Sequence, residues 1–103
     1  MTIDDWYAHD ALIEEIVIDV LNRTVSIRGS SYAGPEAPAR NRFTLLFVDV
    51  NTVTTAVDMV ELTANTFAGH LNHAKLAHGP GTSHLYLVEG HMSVTSLSAP
   101  RFM

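Results

Sequence analysis

Residues 79–98 read GPGTSHLYLVEGHMSVTSLS, the pattern of a stiff connection, a strand, a tight turn and a second strand. From His84 to Val88 the side chains alternate, with Leu85 and Leu87 on one face and His84, Tyr86 and Val88 on the other, as an extended chain of period two requires. Glu89-Gly90 interrupts the run. Glycine tolerates positive φ, which a two-residue turn needs in order to match strand twist. The second strand is expected from about His91 to Leu97. Met92 and Val94 lie on one of its faces and Ser93 and Thr95 on the other, so one face is buried and one is wet. Upstream, Gly79-Pro80-Gly81 is turn chemistry. It lacks the lysine and following helix of a phosphate-cradling loop, so no nucleotide site is expected there.

The remaining segments supply partners for this hairpin. Leu12 to Leu21, LIEEIVIDVL, is long enough for a helix and holds two helix formers, Glu14 and Glu15. Yet Ile16, Val17, Ile18 and Val20 are β-branched and favour an extended chain. The segment is expected to be a strand with Leu12, Ile16, Ile18 and Val20 on one face and a bulge near the glutamates. Asn22-Arg23 forms a turn, and Thr24 to Arg28 returns with Val25 and Ile27 inward. Gly29 to Arg40, GSSYAGPEAPAR, is dense in turn residues and reads as one long loop whose only aromatic is Tyr32. Arg42 to Val50 places Phe43, Leu45 and Phe47 on one face and Leu46, Val48 and Val50 on the other. That pattern predicts a strand covered on both sides near the middle of the architecture. A further strand is expected over Val57 to Leu62. Thr63 to His78 stays open between a short helix capped by Asn65 and a sheet-edge strand with a bulge at Gly69. Together these segments predict a single all-β domain over residues 1–103. Its expected form is an antiparallel sandwich or flattened barrel of about six to eight short strands.

Composition narrows the function classes. The chain has 103 residues, enough for one domain with its own core, and 47% of them are apolar, which opposes global disorder. The absence of cysteine excludes disulfide frameworks, zinc ribbons and thiol nucleophiles, and suits an intracellular, cytoplasmic home. The net charge is −5 and Lys75 is the sole lysine. No nucleic-acid or anionic-membrane surface is therefore expected, since both need basic stripes. The N-terminus, MTIDDWYAHD, lacks the basic start and apolar run of a secretion signal. No apolar stretch is long enough to span a bilayer.

Several short motifs are spread over most of the length: Ala8-His9-Asp10-Ala11-Leu12 followed by Ile16-Val17-Ile18-Asp19; Asp58-x-Val60-Glu61-Leu62-x-x-Asn65; Ala68-Gly69-x-x-Asn72; and Gly79-Pro80-Gly81-Thr82-x-x-x-Tyr86-Leu87-x-x-Gly90. On these residues the chain resembles a set of small uncharacterised bacterial all-β proteins that open with a Trp/His-Asp-Ala-x-Leu segment. The resemblance implies no known activity and carries no catalytic residue over. Where that set has an aromatic after an Asn-His pair, this chain has Ala74.

Candidate chemistry rests on the six histidines, since neutral imidazole is the commonest metal ligand. His70 and His73 are three apart and would share a helical face. Alternatively, His73 meets His84 across strands, with Asp10 or Asp58 as a carboxylate partner. His70, His73 and His84 are therefore the candidate metal set, for zinc or another divalent ion and with hydrolysis as its reaction, although the spacing matches no named motif. Trp6, His9 and Asp10 are the candidate binding residues. Trp6 either tucks against the core edge or lines a ligand groove. His9-Asp10 is a poor acid–base pair if extended, because neighbouring strand residues point to opposite faces. Ser30, Ser31 or Ser83 could supply a triad serine, but no Gly-x-Ser-x-Gly elbow exists. The leading expectation is a small intracellular binding or interaction module without catalytic residues or a required cofactor, of the accessory or toxin-neutralising kind. An acidic surface suits a basic protein partner, and a homodimer is one way to cover sheet edges. A histidine-bound metal protein is the alternative.

Overall fold

The computed structural model describes residues 1–103. It contains eight strands and one short helix: β1 (Leu12–Asp19), β2 (Thr24–Tyr32), β3 (Arg40–Phe47), β4 (Val50–Val57), α1 (Met59–Ala64), β5 (Leu71–Lys75), β6 (Gly81–Leu87), β7 (Gly90–Ser96) and β8 (Arg101–Phe102). The strands form two four-stranded antiparallel sheets, β1-β2-β3-β8 and β4-β7-β6-β5. The domain is thus an all-β sandwich.

Period-two patterning produces the core. Val25 and Ile27 of β2 and Phe43, Leu45 and Phe47 of β3 face Leu85 and Leu87 of β6 and Met92 and Val94 of β7, and all are buried. The central strands hold nearly all of this core; β1 contributes no fully buried residue and β4 only Val50. The bulge expected at the glutamates is present, since the register of β1 on β2 shifts between Ile13 and Glu15. At the far end of β1, the Asp19 carboxylate accepts from the side-chain and backbone nitrogens of Asn22 at 2.8 and 3.1 Å. These bonds, the side-chain one first, hold its pKa below the usual aspartate range.

Five expectations are corrected. Gly29 to Arg40 is not one loop. The strand β2 continues to Tyr32, and the connection is residues 33–39 only. Small residues extend this strand because its neighbours crowd it: a side-chain carbon on Gly29 would lie 1.9 Å from the Leu12 carbonyl oxygen, and the Ser31 hydroxyl accepts from the Trp6 indole at 3.1 Å. Arg42 to Val50 is not one doubly covered strand. The chain leaves the first sheet after Phe47 and begins the second at Val50, turning at Asp49, whose φ is +52°. Val57 to Leu62 is not a strand, because Asp58 caps a helix there by accepting from the Glu61 amide at 3.0 Å. Asn65 ends that helix rather than starting one. The hairpin turn is displaced by one residue, to Val88-Glu89, with Leu87 opposite Gly90.

Gly69 lies in the connection from α1 to β5, at φ +107° and buried against the N-terminal segment; a Cβ there would fall 2.6 Å from the Asp10 Cα. Asp10 itself is left-handed at φ +61°. Neither backbone can retreat, because Asp10 N–H donates to the Leu71 carbonyl at 2.9 Å and the Ala11 carbonyl accepts from His70 and Leu71. Gly69→Ala is therefore expected to lower the unfolding free energy by about 2 kcal/mol or more, combining a strained φ with a backbone clash. Gly34→Ala, where an added carbon meets nothing within 4 Å, should stay within about 0.5 kcal/mol of the parent. Urea denaturation of both variants checks this; equal effects would refute the tight junction.

Candidate functional site

The two long sides of the sandwich differ. One side is shut by the N-terminal segment. Trp6 packs against Phe43 and Phe102 with ring centroids 5.2 Å away in each case, and its indole nitrogen is satisfied by Ser31. Downstream, the His9 ring contacts the Asn72 carbonyl of β5 through Nδ1 at 3.3 Å. Trp6 thus takes the core-edge role foreseen for a large aromatic. Asp10 comes within 3.5 Å of His9 Nε2, which an extended chain would forbid. The positive φ of Asp10 permits it. The pair is exposed and lies at the junction with β5, where Arg40 Nε donates to the Asp10 carbonyl at 3.0 Å.

The opposite side, between β1 and β4, is open. The two strands edge different sheets and are not hydrogen-bonded to one another. They are pinned together at both ends. At one end Arg23 clamps Val50, its carbonyl accepting from the Val50 amide at 3.0 Å and its Nε donating to the Val50 carbonyl at 3.1 Å. At the other end buried His70 links β1 to α1. Its Nδ1 accepts from Ile13 N–H of β1 at 2.9 Å, and its Nε2 donates to the Leu62 carbonyl of α1 at 2.6 Å. Between the pins runs a furrow, comprising a cavity of about 560 Å³ walled by Ile13, Ile16, Val57 and Leu62 and a second of about 330 Å³ near Ile18 and Val53. Its walls are inward-facing apolar side chains, half-buried at Ile13, Ile16, Val53, Val57 and Leu62 and exposed at Ile18. Ile18 is 48% exposed, whereas its neighbours Val25 and Ile27 on β2 are 0% exposed. The rim is acidic. Glu14 and Glu15 line the larger cavity and Asp19 the smaller, and Glu61 sits in the first turn of the adjoining helix.

The outer face of the second sheet carries a cluster of rings. Tyr86 of β6 lies opposite His91 of β7 and His73 of β5, with centroid separations of 5.2 and 6.0 Å. His84, two residues before Tyr86, stacks on it at 5.8 Å.

The histidines proposed as a metal set do not converge. His73 is on a strand rather than a helix, so His70 and His73 share no helical face. His70 is buried with both ring nitrogens already bonded to backbone, so it has no lone pair to offer. His73 lies opposite Tyr86 rather than His84, and Lys75 is the residue opposite His84. No group of three or more His, Asp or Glu side chains comes together to hold a metal. Sequence reasoning missed the furrow and the approach of His84 to His91. The furrow had a signal in the inward residues of Leu12 to Asp19, but nothing marked β1 as an edge. No family model, curated protein or solved structure matches the chain. No helix is long and apolar enough to cross a membrane.

His70 acts as a structural bridge in this geometry. Replacing it with alanine leaves the Ile13 amide and the Leu62 carbonyl unpaired, and should cost about 2–4 kcal/mol. His73→Ala, at an exposed position, should change stability by no more than about 0.5 kcal/mol. Denaturation in the presence of a chelator checks both; a loss at His70 that appears only when metal is added would contradict the bridging role.

Proposed function

We propose that the protein is a small binding module whose seat is the furrow between β1 and β4, and that its partner is an extended, apolar peptide segment bearing basic residues. The observation that supports this most directly is the half-covered row of inward-facing apolar side chains, Ile13, Ile16 and Ile18 facing Val53 and Val57, beneath an acidic rim. Burying such a row is worth roughly 25 cal/mol per Å² of apolar surface removed from water. A closed sandwich would have gained this within its own core.

The edge of β1 favours an extended partner. The regular part of the strand, Glu15 to Asp19, follows the bulge and pairs only with β2. Its outer backbone groups can therefore accept an added strand, whose alternate side chains would drop into the furrow. Charge selects the class of partner. Glu14, Glu15, Asp19 and Glu61 stand near the furrow, and the whole chain carries −5. Of the basic residues nearby, Arg28 is paired with Glu15 at 3.0 Å and Arg23 is committed to Val50. A second copy would bring the same acids to the same place, so a basic segment fits better than a homodimer. Electrostatic attraction of this kind raises the association rate and weakens as salt is added.

Fluorescence polarisation with labelled eight-residue peptides tests the proposal. An alternating valine–lysine peptide should bind, and an alternating valine–glutamate peptide should not. Glu14→Lys and Glu61→Lys together should weaken binding and flatten its salt dependence while leaving the fold intact, because both side chains are exposed. Ile16→Arg should block the seat. Equal binding of the two peptides, or binding indifferent to the rim substitutions, would overturn the proposal.

A further inference from the structure

The ring cluster on the outer face of the second sheet contains a pair of nitrogens that no part of the fold requires. Nδ1 of His84 and Nε2 of His91 are 3.2 Å apart. The two rings are stacked at 27° with centroids 5.4 Å apart. Both side chains are half-buried. They stand on β6 and β7, the two central strands of the sheet, so the backbone beneath them is held on both sides. Tyr86 packs against both rings, at 12° to His84 and 39° to His91. Unlike those of His70, which bond to backbone of other segments, these nitrogens meet each other.

The spacing has chemical meaning. Imidazole nitrogens bind zinc at about 2.0–2.1 Å, so two of them at an angle of roughly 90–110° around one ion lie about 2.9–3.4 Å apart. The observed separation falls within that bite. Two neutral imidazoles also form a donor set that suits copper, nickel and zinc rather than calcium or magnesium, which take oxygen ligands.

We propose that His84 and His91 form a two-nitrogen site for a divalent transition-metal ion, copper(II) ahead of zinc(II) by the usual order of affinity. Without metal the two nitrogens share one proton, one ring donating and the other accepting. On binding, the donor ring moves that proton to its other nitrogen and both rings turn until their lone pairs converge on the ion; neutral rings release no proton. The protein supplies no third ligand. His73 lies on β5, across Tyr86 from His91, and stacks on the tyrosine at 6.0 Å, and no group of three or more suitable side chains exists. Water or a ligand atom from another molecule completes the sphere. This makes the site labile and open rather than structural, and it does not depend on occupation of the furrow.

The test uses the tag-free 103-residue chain titrated with copper(II) or zinc(II) chloride, followed by calorimetry and by NMR of the imidazole carbon-bound protons. One ion should bind per chain, with zinc shifting and copper broadening the signals of His84 and His91 ahead of those of His9, His70 and His78. Added zinc should raise the melting temperature by mass action. His84→Ala and His91→Ala should each abolish saturable binding, whereas His73→Ala should retain it. The proposal fails if binding survives either single substitution, if the perturbation centres on His9, His73, His78 or the N-terminal amine, or if no saturable binding occurs up to millimolar metal. The NMR readout on the unmodified chain decides the matter even if a variant folds poorly.

Discussion

The structure depends on a contact that only glycine permits. Gly69 and Asp10 bring two backbones together at a distance that leaves no room for a Cβ, and hydrogen bonds from both segments secure the meeting. Arg40 reinforces it from β3, donating to the Asp10 carbonyl and to the Phe67 carbonyl while its guanidinium lies 4.6 Å over the Tyr32 ring. The junction joins the first sheet, the N-terminal segment and the start of β5. From it the chain runs back to Trp6 on the closed side and forward through Leu12 into β1 on the open side. Next to Gly69, His70 carries the same constraint across to α1 and Ile13. Two adjacent residues, one with no side chain and one with two bonded nitrogens, thus set both the closed side and one end of the furrow.

The asymmetry of the sandwich follows. Aromatic packing of Trp6, Phe43 and Phe102 fills one side, whereas no segment of the chain crosses the other. An open edge is a hazard because it can template unwanted strand pairing. The chain blunts this hazard without removing it. Register shifts interrupt β1 between Ile13 and Glu15, β4 between Val50 and Thr52, and β5 between Leu71 and His73. On β1 and β4 the interruptions fall near the strand starts, leaving regular runs along the furrow itself. The glutamates beside it repel another copy of the same edge. Edge protection and partner selection come from the same residues.

The sequence revealed what depends on local periodicity. The C-terminal hairpin, the bulge at Glu14-Glu15, the inward set of Val25 and Ile27 and the all-β sandwich are all visible as alternation. What it concealed depends on long-range contact. The apolar residues on both faces of Arg42 to Val50 suggested double cover, but they reflect a chain that changes sheets at Asp49. The helix after Asp58 had a readable signal, an aspartate three residues before Glu61 in the manner of a capping box, and the β-branched and apolar residues around it masked that signal. The role of His70 could not be read at all, because its partner Ile13 lies 57 residues away.

The hairpin shows how small an error can hide a site. A turn at Glu89-Gly90 would place Val88 opposite His91 and His84 opposite Thr95, separating the two histidines. A turn at Val88-Glu89 places Tyr86 opposite His91 and Ser93 opposite His84, so the imidazoles meet on the diagonal, a distance that long side chains span. Tertiary contacts decide between these registers. The Val88 amide donates to the His70 carbonyl at 2.8 Å and the Asp58 amide to the Glu89 carbonyl at 3.2 Å. Gly90 passes so close to β4 that a Cβ would lie 2.3 Å from the Ala56 carbonyl oxygen. The segment that begins at Gly69 therefore also fixes the register that brings His84 to His91, linking the outer ring cluster to the same junction that frames the furrow.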